Sequence, residues 1–155
     1  MIKKINKYTY AQGTRYMDNG SRNYDVAGYR LPSVTTILGR TKDDTFLKDW
    51  RAKKGKKEAG RIKNASAVRG TSKHKYFENY VLGKGYEDLT ELGQQAKRMA
   101  QKVIEVGLAP VSGYYGSEVT VYYPGLYAGS TDLVGLHNDK ETIIDFKQAN
   151  RPKRE

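Results

Sequence analysis

The 155-residue chain contains no cysteine. That excludes disulfides, thiolate metal sites and Cys-ligated iron–sulfur clusters. Histidine is nearly absent as well: His74 and His137 are the only two, so any imidazole chemistry rests on one or both of them. No apolar run approaches the length of a membrane span, and the first residues lack the apolar stretch of a signal peptide. These absences imply a soluble, intracellular protein. Apolar residues make up 37% of the chain, which is low and predicts a modest core in a polar shell. The length suits a single domain, one that buries roughly 70% of its unfolded surface.

Positive charge is plentiful. Twenty-eight Lys and Arg stand against seventeen Asp and Glu, a net +11. Such a surface favours a polyanion, and nucleic acid is the usual one. A basic membrane anchor would need an amphipathic cationic helix with a strong apolar face, and none stands out. The thirteen tyrosines offer stacking faces with polar tips. A base stacked on such a ring gains about 1–3 kcal/mol in any sequence context. Tyrosines in small domains also serve the core and its rim.

Along the chain, Met1–Tyr29 reads as one or two short antiparallel strands with turn signals at Gln12-Gly13 and Asn19-Gly20. Ser33 is a cap candidate for a short helix with Val34, Ile37 and Leu38 as its apolar face, ended by Gly39. A second helix is expected over Asp43–Lys57, with Phe46, Leu47 and Trp50 followed by Arg51-Ala52-Lys53-Lys54-Gly55-Lys56-Lys57. That basic run is either a solvated helix face or a phosphate track, widened by Lys42, Arg61 and Lys63. A third helix is expected over Thr71–Leu82, with Gly70 and Thr71 or Ser72 at its start and Gly83 and Gly85 at its end. Asp88–Val106 repeats Leu89, Leu92, Ala96, Met99, Ala100 and Val103 at helical steps, the pattern of a core-facing helix. Strands follow: Ser117–Tyr123, a Pro124-Gly125 turn, Leu126–Leu136, the polar link His137–Lys140, and Thr142–Lys147. The expected fold is α+β, with helices on one face of a small, mostly antiparallel sheet whose opposite edge carries the chemistry.

Two constellations carry that chemistry. Gly129-Ser130-Thr131-Asp132 precedes Asp145-Phe146-Lys147 across the last hairpin. Side chains alternate along a strand, so Asp145 and Lys147 share a face while Ile144 and Phe146 turn to the core. A hairpin brings Asp132 close to Asp145, and two such carboxylates repel unless a cation lies between them. Oxygen donors of this kind suit Mg²⁺ or Mn²⁺. An ordinary hairpin with solvated charges is the plain alternative. On the His74 helix, Glu78 lies four residues on and hence on the same face. A surface His–Glu contact is the plain alternative there. His137, in the turn, reads as solvated. Glu118, on the strand before Asp132, either adds a third carboxylate or pairs with a nearby lysine.

Gly70, His74 and Glu78, then Gly129 and Asp132, then Asp145 and Lys147, are the ordered set that resembles the PD-(D/E)xK nuclease superfamily. Within it the chain resembles the RecB-like exonucleases, which show G-x-x-x-H-x-x-x-E on a helix, then G-x-x-D, then D-x-K on strands. Leu31–Leu38, Trp50-Arg51 and Ala67–Gly70 extend the likeness to phage exonucleases and the mitochondrial genome maintenance exonuclease, over about Tyr24 to Lys153. The resemblance implies a restriction-endonuclease-like core and a metal-dependent DNA exonuclease acting on single-stranded DNA or DNA ends. It implies a bacterial or phage-infected cytoplasm, or a mitochondrion. Asp132, Asp145, His74 and the carbonyl of Phe146 would hold Mg²⁺ or Mn²⁺, Lys147 would orient water or offset phosphate charge, and Glu78 would steady His74. Arg51, Lys53, Lys54, Arg69 and Lys73 are the expected DNA contacts. Such nucleases continue past D-x-K into a helix bearing Gln-x-x-x-Tyr. Here Gln148 belongs to the strand end and the sequence stops at Glu155, so the expectation is one nuclease domain without that helix. Two other classes stay open: a non-catalytic DNA-binding module on the same fold, and a small-substrate metallohydrolase, which would leave +11 unexplained.

Overall fold

Four tight turns follow directly from residue chemistry. Asn19-Gly20, Ala27-Gly28 and Asn138-Asp139 all have positive φ at both positions (47° and 76°, 51° and 79°, 49° and 59°). That is the type I′ pattern whose twist suits a two-residue hairpin. Gly125, after Pro124, has φ 74°, as the third residue of a type II turn requires. The computed structural model describes residues 2–147; Gln148, expected at the strand end, lies outside the described residues.

The first two turns link β2 (Gly13–Asp18), β3 (Ser21–Val26) and β4 (Tyr29–Pro32) into a three-stranded antiparallel sheet. The larger sheet has the order β1 (Lys3–Lys4), β5 (Val111–Tyr123), β6 (Tyr127–His137), β7 (Lys140–Ile144). It is antiparallel except that β1 runs parallel to β5. The N-terminal region thus supplies four strands instead of one or two.

The helices are α1 (Val34–Thr41), α2 (Thr45–Lys54), α3 (Lys56–Val81) and α4 (Glu91–Val106). Ser33 caps α1 as expected, its Oγ accepting from the Thr36 amide at 3.0 Å. Gly39 does not end that helix, which runs on to Thr41. The larger correction concerns the middle of the chain. The break falls at Gly55, whose φ of 78° no helix interior accepts. From there one 26-residue helix runs through Gly70 and Thr71, which are interior positions and not caps. An interior Gly costs about 1 kcal/mol against Ala, less than the packing of the second half of α3 returns. Thr71 donates its hydroxyl back to the Ala67 carbonyl at 3.1 Å, the usual mid-helix outlet for a threonine.

Thr90 caps α4 by accepting from the Gly93 amide at 3.0 Å. Leu89 precedes that cap and is 84% exposed, so it is not part of the core face; Ala96 and Ala100 are, at 0% and 1%. Asp88 ties the two long helices together, accepting from Ser72 Oγ at 2.7 Å and from Thr90 Oγ1 at 2.7 Å.

Phe77, Val81, Ala96, Leu133 and Phe146 belong to the main core, where α3 and α4 cover the larger sheet. Burying a side chain such as Phe77 contributes about 1.5–3 kcal/mol. A second, smaller core of Tyr24, Val26, Leu31 and Ala128 joins the two sheets. By contrast α1 and α2 bury no residue, and before Ser72 α3 buries only Ala59. The architecture is mixed α+β, helices flanking mixed sheets.

Candidate metal centre

The site is built where α3 meets β6, at the helix–sheet junction and not on an edge facing away from the helices. His74 stands one helical turn before Glu78, and Phe77 between them packs on Phe146 with ring centroids 4.2 Å apart. Both phenyl rings meet the imidazole edgewise, at 6.3 and 6.4 Å. These contacts orient His74 toward the sheet. Its Nδ1 lies 3.4 Å from Asp132 Oδ1.

Asp132 sits one step beyond the Leu133–Ile144 pair of the β6–β7 ladder. At that step the Phe146 amide leaves the ladder and donates to Asp132 Oδ2 at 2.6 Å. This is why β7 ends at Ile144, although the alternating pattern predicts a strand to Lys147. Asp145 and Lys147 still share a side, and Lys147 Nζ bonds both Asp145 oxygens, at 2.9 and 2.7 Å. Phe146, 8% exposed, holds this segment against the core.

The third donor comes from β5. Ser117 pairs with Leu133 and Val119 with Thr131, so Glu118 stands opposite Asp132. Its φ is 52°, a left-handed conformation costing a non-glycine residue roughly 1–2 kcal/mol. Strain of this kind is retained where a side chain must be aimed. Ligand atoms of His74, Glu118 and Asp132 all lie within 4.8 Å of one another. Asp145 is not in this closest group; it lines the same cleft, paired with Lys147. Of Phe146 the structure shows the amide on Asp132.

The electrostatics are those of a strained acidic site. Hydrogen bonding to Asp132 raises His74 above its ordinary value against the opposing effect of burial. Burial pushes Asp132 up, but the His74 bond, the Phe146 amide and the charges of His74 and Lys147 outweigh it, so the carboxyl titrates lower than usual. Glu118 is pushed up, by desolvation first and by the Asp132 charge second. One carboxylate is thus stabilised and its neighbour disfavoured, as when two acids share one partly desolvated site. Imidazole plus carboxylate oxygens is a borderline-hard donor set, suited to Mg²⁺, Mn²⁺ or Zn²⁺.

The cleft has a volume of about 720 Å³. Glu78, Asp145 and Lys147 line it beside the cluster, facing Arg15 of β2, Arg22 of β3 and Lys75 of α3. No motif marks Arg15 or Arg22 in the sequence; only the packing of the small sheet brings them here. Glu118 had a weak signal, its place on the strand before Asp132.

The expected DNA contacts divide. Arg51, Lys53 and Lys54 are exposed on α2, and Arg51 lines a groove of about 1270 Å³ between α2 and α3 with Phe46, Trp50 and Lys63. Ser66 borders both that groove and the cleft. Arg69 is half-buried at the α3–α4 junction, donating to Gln95 Oε1 at 3.1 Å. Lys73 is 3% exposed, under the surface and not on it. His137 is half-buried, with Asn138 Nδ2 3.3 Å from its Nδ1. No helix among the described residues is long and apolar enough to cross a membrane.

Comparison of the chain with protein-family models, with curated proteins and with solved structures finds no match in any of the three.

Proposed function

We propose that the chain is a divalent-metal-dependent deoxyribonuclease of the PD-(D/E)xK type, acting on single-stranded DNA or DNA ends. The observation that carries this reading is the His74–Glu118–Asp132 group, its ligand atoms within 4.8 Å of one another, in a cleft that Asp145 and Lys147 also line. The net charge of +11 supports a polyanionic substrate over a small neutral one.

In this reading His74, Glu118 and Asp132 hold Mg²⁺ or Mn²⁺, with Asp145 a further donor on the cleft wall. A bound ion of this kind lowers the pKa of a coordinated water and polarises a phosphoryl oxygen. The Phe146 amide fixes Asp132, and the Phe77–Phe146 pair fixes His74, so the donors are preorganised. Lys147 offsets negative charge growing on the phosphate. Glu78, on the same helical face as His74, steadies the imidazole or a nearby water. Arg15, Arg22 and Lys75 receive the flanking phosphates.

The Asp145–Lys147 ion pair favours one alternative, a DNA-binding module without catalysis, because both side chains are already engaged. Digestion of end-labelled single- and double-stranded DNA with Mg²⁺, Mn²⁺ or EDTA, using wild type, Lys147→Ala and Asp132→Asn, separates the two. Metal-dependent shortening lost in both variants supports the nuclease. DNA retardation without cutting in any metal supports the binding module.

A further inference from the structure

Lys73 is the least expected charge in the molecule. It is 3% exposed, and a lysine is almost never buried without a partner. Among the described residues it forms no hydrogen bond or ion pair; its companion is the Phe77 ring, whose centroid lies 5.8 Å from Nζ. The nearby carboxylates are already engaged. Asp132 holds His74 and the Phe146 amide, and Asp145 holds Lys147. Asp132 and Asp145 attract Lys73 through space, but neither bonds it directly.

What remains open to it is a pocket of about 400 Å³ that it shares with Lys147, walled by Ser66, Gly70, His74 and Phe146. No acidic side chain lines that pocket. Gly70 presents bare backbone there: a Cβ added to it would meet nothing within 4 Å. This space lies next to two ammonium-bearing side chains, of which Lys147 also pairs with Asp145.

We propose that Lys73 and Lys147 form an anion subsite that takes a phosphate group of a nucleic-acid strand, next to the His74–Glu118–Asp132 cluster. The phosphate belongs to the strand only if the nuclease reading holds; the subsite itself is phosphate chemistry. A terminal phosphomonoester and an internal phosphodiester are the two sources it can serve.

The test uses the full chain in EDTA, titrated with inorganic phosphate while the thermal midpoint is followed. Phosphate raises the midpoint of wild type and Lys73→Arg, and leaves Lys73→Met and Gly70→Leu unmoved. Mn²⁺ binding, read by electron paramagnetic resonance, persists in Lys73→Met and shows that the cluster is intact. Oligonucleotides ending in 5′-phosphate, 3′-phosphate or hydroxyl, or carrying one internal methylphosphonate, then identify the source. The one whose change abolishes the difference between wild type and Lys73→Met is the phosphate bound. On a single strand the salt dependence of log K drops by about 0.7 in that variant. A phosphate response in Lys73→Met equal to wild type, or none in wild type, overturns the proposal. Should Lys73→Met not fold, Gly70→Leu decides alone, since its side chain enters space the fold leaves open. Failure of the nuclease reading is separately visible, as an intact phosphate response without metal-dependent cutting.

Discussion

His74 and Asp132 meet across the helix–sheet junction, Nδ1 to Oδ1 at 3.4 Å, and each favours the charged form of the other. The His74 pKa is raised from 6.5. Its share of stability is therefore fully present below pH 6.5 and fades as pH rises through the folded value. The Asp132 pKa is lowered from 3.8. Its share is present above that pH and fades as pH falls through the depressed value. In EDTA, wild type should exceed His74→Gln in thermal midpoint most clearly between those limits, with the gap closing in mild alkali. Added Mn²⁺ should stabilise wild type increasingly as pH rises, because a metal needs the neutral imidazole. A gap that widens with pH in EDTA would contradict the pairing.

Glu118 trades strain for function. At φ 52° glycine is at ease where glutamate is not, so Glu118→Gly should leave the metal-free protein as stable or about 1 kcal/mol more so. The same change should weaken Mn²⁺ binding at least tenfold. Urea unfolding and Mn²⁺ titration measure the two; destabilisation together with unchanged metal affinity would remove Glu118 from the site.

Gly93 lies against Asp88, and a Cβ there would overlap the Asp88 carboxyl. That carboxyl is not free to swing, being held by Ser72 and Thr90. Although alanine is the better helix former, Gly93→Ala should destabilise by about 1–3 kcal/mol. Urea denaturation of wild type and variant decides the sign.

The cationic face of α2 is testable without cutting. Arg51, Lys53 and Lys54 are exposed, so replacing all three by alanine should leave the unfolding midpoint nearly unchanged. If they meet phosphates, the log K against log salt slope for single-stranded DNA should flatten by up to about 2. An unaltered slope would return α2 to a merely solvated face.

Much of the local architecture was legible. Ser33 capping α1, the small residues of α4, the turn at Gly125 and the β6–β7 hairpin all rest on chemistry within a few residues. The boundary between α2 and α3 was not. Gly55 and Gly70 look alike in sequence, and packing of Tyr76, Phe77 and Val81 extends one helix through the second of them.

The site divides along the same line. Sequence spacing alone determined that His74 and Glu78 share a helical face and that Asp132 and Asp145 flank one hairpin, because helix and strand periods are local geometry. Tertiary structure alone decided that Glu118 joins His74 and Asp132 and that Lys73 is buried beside them. Those outcomes depend on where α3 lies on the sheet, which is set by the burial of Phe77 and Phe146. Residue spacing along the chain carries no record of that contact.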